Sequence, residues 1–292
     1  MGYMHINNAY KVPDLFIFKE LYALEKIHGT SAHLSFNAEK KPHQVHFFSG
    51  GATHETFVGL FDKKDLLAKF LELGHSQVTV HGEAYGGKLL RMKETYGPQL
   101  RFVAFDVKIG DHWLAVTSAH EIATKLGLEF VHYDRIPATI EAIDAVRDAP
   151  SIQAKRNGIS EDRIREGVVL RPVIELTRND GSRFIAKHKR SEFMETATPR
   201  DVNPEELKVL EEAEAIAQEW VTEMRLEHVL SALQATGLDT STMKICGKLV
   251  DAMVEDVKRE SQNETIWSRE AERAVGSKAV TLFKKYLKKD DK

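Results

Sequence analysis

Short apolar runs rich in Val, Phe and Ile, separated by turn residues, fill the chain from its first residue to about residue 195. Runs at 44–48, 77–81, 100–108, 129–133, 167–176 and 183–189 read as β-strands, because branched and aromatic side chains suit a pleated, half-buried surface. Two further apolar runs flank Lys26-Ile27-His28-Gly29-Thr30, one ending at Lys26 and the other covering 32–36. Segments 63–73 and 118–126 read as helices, each stopped by a glycine (Gly74 and Gly127), and a third is expected over 139–147, ahead of Pro150. With turn signals such as Asn179-Asp180-Gly181, this mixed order predicts an α+β domain of antiparallel sheets with flanking helices.

The texture changes after Pro199, where strand-like runs stop. Asn203 suits an N-cap and Pro204 the first helical position, while Glu205 and Glu206 favour the positive end of the helix dipole. Leu207, Leu210, Ile216, Trp220, Met224 and Leu230 then recur at roughly helical spacing up to Gly237. Further helices are expected over 242–260 and 266–287. Two domains follow from this, at 1–195 and 200–292, joined by a hinge at 196–204, the second of them small and all-helical.

Composition narrows the function classes. A net charge of -3 carries no bulk basic character, so any nucleic-acid site is a local patch. The single cysteine, Cys246, excludes an internal disulfide framework and a cysteine-rich zinc site, and fits a reducing compartment. No run reaches the length of a membrane span and the amino terminus has no basic-then-apolar pattern. A cytoplasmic, monomeric protein with no membrane partner is expected.

Candidate chemistry starts at Lys26, an amine just before a glycine turn between two strand-like runs. Such an amine can act as a nucleophile while the glycine lets backbone close around a ligand; a surface lysine before a turn is the plainer alternative. In 183–189 the side chains alternate, so Lys187 and Lys189 share a face roughly 6.6 Å apart along the strand. They can hold neighbouring oxygens of a polyphosphate and depress the pKa of a third lysine, or simply solvate an edge strand. Glu166, at the mouth of an apolar strand and followed by Gly167, is a candidate Mg²⁺ ligand or a turn glutamate. Glu83 is a similar carboxylate after a strand. Phe102 and Phe105 differ by three on a strand and so face opposite sides, one toward a core and one available to stack on a base.

Taken together and in order, Lys26-Ile27-His28-Gly29-Thr30, Gly82-Glu83, Phe105-Asp106-Val107, Glu166-Gly167-Val168-Val169-Leu170 and Lys187-His188-Lys189 resemble the motifs of covalent nucleotidyltransferases, the ATP-dependent polynucleotide ligases and mRNA capping enzymes. The His in the first motif resembles the RNA ligase 2 branch, and the helical tail is similar to that branch's carboxy-terminal domain. The resemblance spans residues 24 to 189 and implies a ligase adenylation domain of the ATP-grasp-like type. It implies that Lys26 takes AMP from ATP as a phosphoramide, passes it to an RNA 5′-phosphate, and that a 3′-hydroxyl then displaces it. It implies that Glu25 and Ile27 line the adenine pocket, Phe105 stacks on adenine, Glu83 bonds the ribose or orders the site, and His28 positions phosphate. Glu166 would bind the divalent metal, Mg²⁺ or Mn²⁺, and Lys187 and Lys189 would neutralise the α-phosphate. The metal and those two lysines would also suppress the charge that a lysine ordinarily carries at neutral pH, where its reference pKa is about 10.4. Nicked duplex or single-stranded RNA ends are the implied partners.

One departure stands out: where the family usually places an arginine some twenty residues after the nucleophile, this chain reads His46-Phe47-Phe48-Ser49-Gly50-Gly51. A P-loop reading of the segment Gly82 to Lys88 fails because Leu89 stands where Ser or Thr must bind Mg²⁺. A DNA ligase or capping enzyme would normally carry an oligonucleotide-binding barrel rather than a helical tail. A non-catalytic RNA-binding protein on the same scaffold is the rival from another class, and the intact Lys26, Glu166, Lys187 and Lys189 speak against it.

Overall fold

The computed structural model describes residues 2–198, 210 and 212–290 and divides into two compact units, Met1–Arg190 and Ser191–Lys292. The division falls at residue 190, slightly before the expected boundary, and the expected cap at Asn203 and Pro204 lies outside the described residues.

In the first unit the chain runs β1 (Glu20–Lys26), β2 (Thr30–Asn37), β3 (Val45–Ser49), α1 (His54–Val58), α2 (Lys63–Glu72), β4 (Gln77–Gly86), α3 (Lys93–Tyr96), β5 (Leu100–Ile109), β6 (His112–Trp113), α4 (Val116–Lys125), β7 (Tyr133–Pro137), α5 (Ile140–Asp148), α6 (Ile152–Arg156), β8 (Gly167–Pro172) and β9 (Ala186–Lys189). They build two antiparallel sheets, one ordered β7-β1-β8-β9 and the other β3-β2-β4-β5-β6. This is the α+β adenylation architecture, with the second sheet backed by helices.

Alternation on β2 sets the layering. Ala32, Leu34 and Phe36 are buried in the core with Phe57, Leu66, Phe70 and Ala119 from the helices, while Ser31, His33 and Ser35 face the other way. Burying each large apolar side chain is worth about 1.5–3 kcal/mol, which fixes the register of β2 against β3 and β4. Side-chain caps start the helices: Asp62 accepts from Lys64 and Asp65 amides, Thr139 from Ala142, and Ser151 from Ala154.

The strand expected over 167–176 ends at Pro172, and two other strand expectations shift for identifiable reasons. Residues 129–133 form a single bridge, Ala104 to Phe130, rather than a strand, because this segment leaves the second sheet there and pairs with β1 only from Tyr133 onward. Arg183 is drawn into a buried ion network, so β9 begins at Ala186 rather than 183. In β5 one residue is extra: Gly82 pairs with Ala104 but His81 pairs with Asp106, leaving Phe105 as a bulge.

The second unit contains α7 (Ala213–Trp220), α8 (Glu223–Ala235), α9 (Cys246–Glu260) and α10 (Arg269–Asp290) around Trp220, Leu249, Met253, Val275 and Phe283. The single helix expected up to Gly237 is interrupted at Val221-Thr222, where the Thr222 hydroxyl caps α8 by accepting from the Arg225 amide. The buried Arg225 guanidinium makes the break tolerable by donating to the Trp220 carbonyl at 2.8 Å and pairing with Asp256.

Candidate active site

The chain passes from one sheet to the other at Ile27-His28-Gly29, between β1 and β2. The passage is tight. A Cβ on Gly29 would stand 2.4 Å from the Ala84 carbonyl oxygen, so only glycine fits. Lys26 is thus the last residue of β1, held at the junction of the two sheets with its side chain partly open to solvent.

Register brings the distant motifs together. Lys26 pairs with Gly167 of β8, and Gly167 with Lys189 of β9; one step along, Leu24 pairs with Val169, and Val169 with Lys187. Directly opposed residues share a face, so Lys26, Lys187 and Lys189 lie on one side of the sheet, as their alternation predicts. Gly167 adopts φ +152°, and a Cβ there would meet the His188 carbonyl oxygen at 2.2 Å. Its lack of a side chain allows β9 to lie against the strand that follows Glu166.

Glu166 is fully buried among cations. Its Oε2 lies 3.0 Å from Lys26 Nζ and 3.3 Å from His28 Nδ1, and its Oε1 lies 2.9 Å from Lys189 Nζ. Burial alone would push this carboxyl up, but Lys189, Lys26 and His28 outweigh it and hold it well below the usual carboxylate range. The opposite holds for Glu83: burial pushes it up to about 8, aided by the charge of Glu166 and opposed by Lys26, a Gly29 amide bond and Lys189. Two carboxylates in one site therefore have widely separated proton affinities, the usual mark of a functional pair.

A cavity of about 240 Å³ opens beside this cluster, and Glu25, Lys26, Ile27, Glu83 and Phe105 all line it. His28, Glu166, Lys187 and Lys189 are not among its lining residues. Glu25 sits along the wall, but its carboxylate is engaged with α6, accepting from the Ser151 hydroxyl at 2.5 Å and the Ile152 amide at 3.0 Å. Phe105 reaches the cavity while Phe102 packs in the core against Phe57 and Phe61.

The sequence reading missed what supports Phe105. Tyr3, from the amino-terminal segment, lies edge-on to the Phe105 ring at 4.9 Å and donates to Asp106 Oδ2 at 2.7 Å. The wholly buried Asp106 also receives Arg171 at 3.1 Å and Arg183 at 2.7 Å, and both arginines reach Glu175 at 2.6 Å. Tyr3 and Arg171 line the cavity too. Nothing local in the sequence points to this network or joins Tyr3 to it.

As to a divalent cation, no group of three His, Cys, Asp or Glu side chains converges on one point among the described residues. That suits Mg²⁺ or Mn²⁺ shared with phosphates, since Mg²⁺ is usually held by one or two carboxylates plus substrate oxygens rather than a protein cage. The buried Glu166 carboxylate, beside Glu83, fits such a donor set.

Comparison with solved structures finds an RNA ligase of Naegleria gruberi, in a mutant form with ATP and Mn, at TM-score 0.51 and 15% identity, covering 66% of this chain and 57% of that one. The same enzyme with PPi matches at TM-score 0.49 and 16% identity, with the same coverage. This chain thus spans a little over half the length of that ligase, and at such identity the likeness is one of fold. No curated protein sequence matches. The model of the RNA ligase family matches residues 19–189, from the start of β1 to the end of β9 and more than half of the 292 residues. The chain belongs to the RNA ligase family.

Proposed function

We propose that this protein is an ATP-dependent RNA ligase of the RNA ligase 2 branch that joins 3′-hydroxyl and 5′-phosphate RNA ends through a lysyl-AMP intermediate. The observation that carries the reading is the placement of Lys26 in the lining of a cavity of about 240 Å³, hydrogen-bonded to Glu166 and on the same sheet face as Lys187 and Lys189.

In the first step Lys26 Nζ gives up one proton to solvent as the surrounding cations suppress its charge, leaves Glu166 as a neutral amine and attacks the α-phosphorus of ATP. The N–P bond forms, the bond to the bridging oxygen breaks, pyrophosphate departs, and the nitrogen releases its second proton to solvent. Phe105 stacks on adenine, with Ile27 and the Glu25 backbone beside it, and Glu83 meets the ribose. Lys189 and Lys187 face the charge that builds on the α-phosphate, and His28 steadies the phosphates. Preformed cations aimed at developing charge are usually the largest single source of rate enhancement. Glu166 would hold the divalent cation, Mg²⁺ or Mn²⁺, which when bound withdraws electron density from the phosphates. In the second step a 5′-phosphate oxygen of RNA takes the AMP, breaking the N–P bond and freeing Lys26. In the third, a 3′-hydroxyl attacks that 5′-phosphorus and AMP leaves.

The bond between Nζ and Glu166 places the lysine for attack while denying it to other electrophiles. Mass spectrometry after incubation with ATP and Mg²⁺ tests the reading: one AMP is expected on the wild-type chain and none on Lys26→Ala. Incubation of the adduct with nicked RNA and nicked DNA then separates RNA ligation from DNA ligation. An unmodified wild-type chain would instead support the non-catalytic RNA-binding reading.

A further inference from the structure

The face of the second sheet that carries Ser31 and Glu83 does not end at the nucleotide cavity. Two residues along β2, a step of roughly 6.6 Å, His33 is on the same face, and it is paired across the ladders with Phe48 of β3 and His81 of β4. Phe48 and His33 are stacked, with centroids 5.0 Å apart and planes 22° from parallel. From there rings continue without a gap: His33 to His81 at 5.7 Å, His81 to Tyr3 at 5.1 Å, and Tyr3 to Phe105 at 4.9 Å. A row of side chains therefore runs from the wall of the nucleotide cavity to the outer strand of the sheet.

The outer end of the row is open. Phe48 is 43% exposed, whereas its neighbour Phe47 turns to the other side and packs against Phe61. Beneath it, His33 Nδ1 is buried and has no hydrogen-bond partner among the described residues. Two residues along β3, the exposed His46 is on the same face, and the loop between β2 and β3 carries the exposed Lys40 and Lys41. Burial pushes both His33 and His81 down, so each is a neutral ring at physiological pH and stacks without charge. An exposed ring stacked on a second ring, at the end of a ring row that starts in the wall of the nucleotide cavity, has the make-up of a sequence-tolerant stacking platform for nucleic-acid bases.

Building on the reading of the chain as an RNA ligase, we propose that Phe48, backed by His33, stacks on the base of the RNA nucleotide that carries the reacting 5′-phosphate. Every base offers a π-face, so the site takes any base identity and selects for a terminal base that can unstack from its neighbours.

The test uses a 5′-phosphorylated RNA oligonucleotide with 2-aminopurine at its first position, and a second with 2-aminopurine six nucleotides inward. Binding by the wild-type chain is expected to quench the first probe and leave the second unchanged. Phe48→Ala should abolish that quenching and weaken binding roughly ten-fold, on the scale of one base–aromatic stack, while Phe48→Tyr restores both. AMP loading of Lys26 from ATP, which does not involve Phe48, should be equal in all three proteins and shows that each is folded. Undiminished quenching and affinity in Phe48→Ala, or equal quenching of the internal probe, would overturn the proposal. Failure of every form, wild type included, to take up AMP would sink the ligase reading, yet the quenching experiment would still decide the platform.

Discussion

Glu166 stands between two ammonium groups, with Lys26 at 3.0 Å from one carboxylate oxygen and Lys189 at 2.9 Å from the other. The motif lysines are thus not simply crowded together. A shared counter-ion separates the proposed nucleophile from the lysine proposed to meet the phosphate.

Glu166→Gln should therefore injure both stability and chemistry. It leaves Lys189, only 5% exposed, beside a neutral amide, and removing one partner of a buried pair typically costs about 3–5 kcal/mol. Urea denaturation should show that loss, and AMP loading should fall by at least a hundred-fold. Lys26→Ala, whose side chain is partly solvated and whose loss leaves Glu166 paired with Lys189 and His28, should lose loading entirely while unfolding within about 1 kcal/mol of wild type.

The two carboxyls predict opposite pH responses. Glu83 is raised to about 8 in the fold, so its contribution to stability is fully present below the unfolded carboxyl pKa and is lost as pH rises toward 8. Glu166 is depressed, so its contribution is present above the unfolded value and lost as pH falls. Glu83→Gln should flatten the decline on the alkaline side and leave the acid side unchanged. Denaturation midpoints from about pH 3 to 8 check this, and an unaltered alkaline slope in the variant would contradict the raised proton affinity of Glu83.

Asp106 anchors two buried arginines and Tyr3. Asp106→Ala should destabilise the first unit by about 3–5 kcal/mol, because Arg171 and Arg183 keep only Glu175 as counter-ion. Tyr3→Phe removes two hydrogen bonds, one donated to Asp106 and one accepted from Arg183 Nη1, and should cost about 1–3 kcal/mol, with the ring retained against Phe105. Equilibrium unfolding and the KM for ATP in AMP loading are the measurements, with the second expected to rise in Asp106→Ala.

Gly29→Ala should abolish AMP loading, since its added Cβ would collide with the Ala84 carbonyl at the passage between the sheets. Replacing Gly158, where a Cβ meets nothing but φ is +86°, should strain only its own turn and spare loading. A loading assay on the two variants distinguishes a local fit from general glycine sensitivity.

Much of this was legible because the relevant signals are local. Alternation placed Lys187 and Lys189 on one face, and the Phe102-to-Phe105 spacing sent one ring to the core and the other to the cavity. Apolar runs located β3, β5 and the first half of β4. Pairings across the sheets were not legible. Nothing near Glu25 in the sequence announces that its carboxylate caps α6, 127 positions on at Ile152, and nothing near Tyr3 points to Asp106. The strand expected at 129–133 and the unbroken helix before Gly237 failed for the same reason: propensity favours a segment, but tertiary partners decide where it bends.

The supernumerary residue of β5 has one last consequence. In an unbroken ladder Phe105 and Asp106 would point to opposite sides, yet the slip at His81/Gly82 lets the first reach the cavity and the second the arginines on the same side. Shortening the strand by one position is therefore no neutral trimming. It would swing the carboxylate into the oily layer under α4 and strand two guanidinium groups. Length here is as strictly constrained as residue identity, and insertions or deletions among relatives should avoid 104–106.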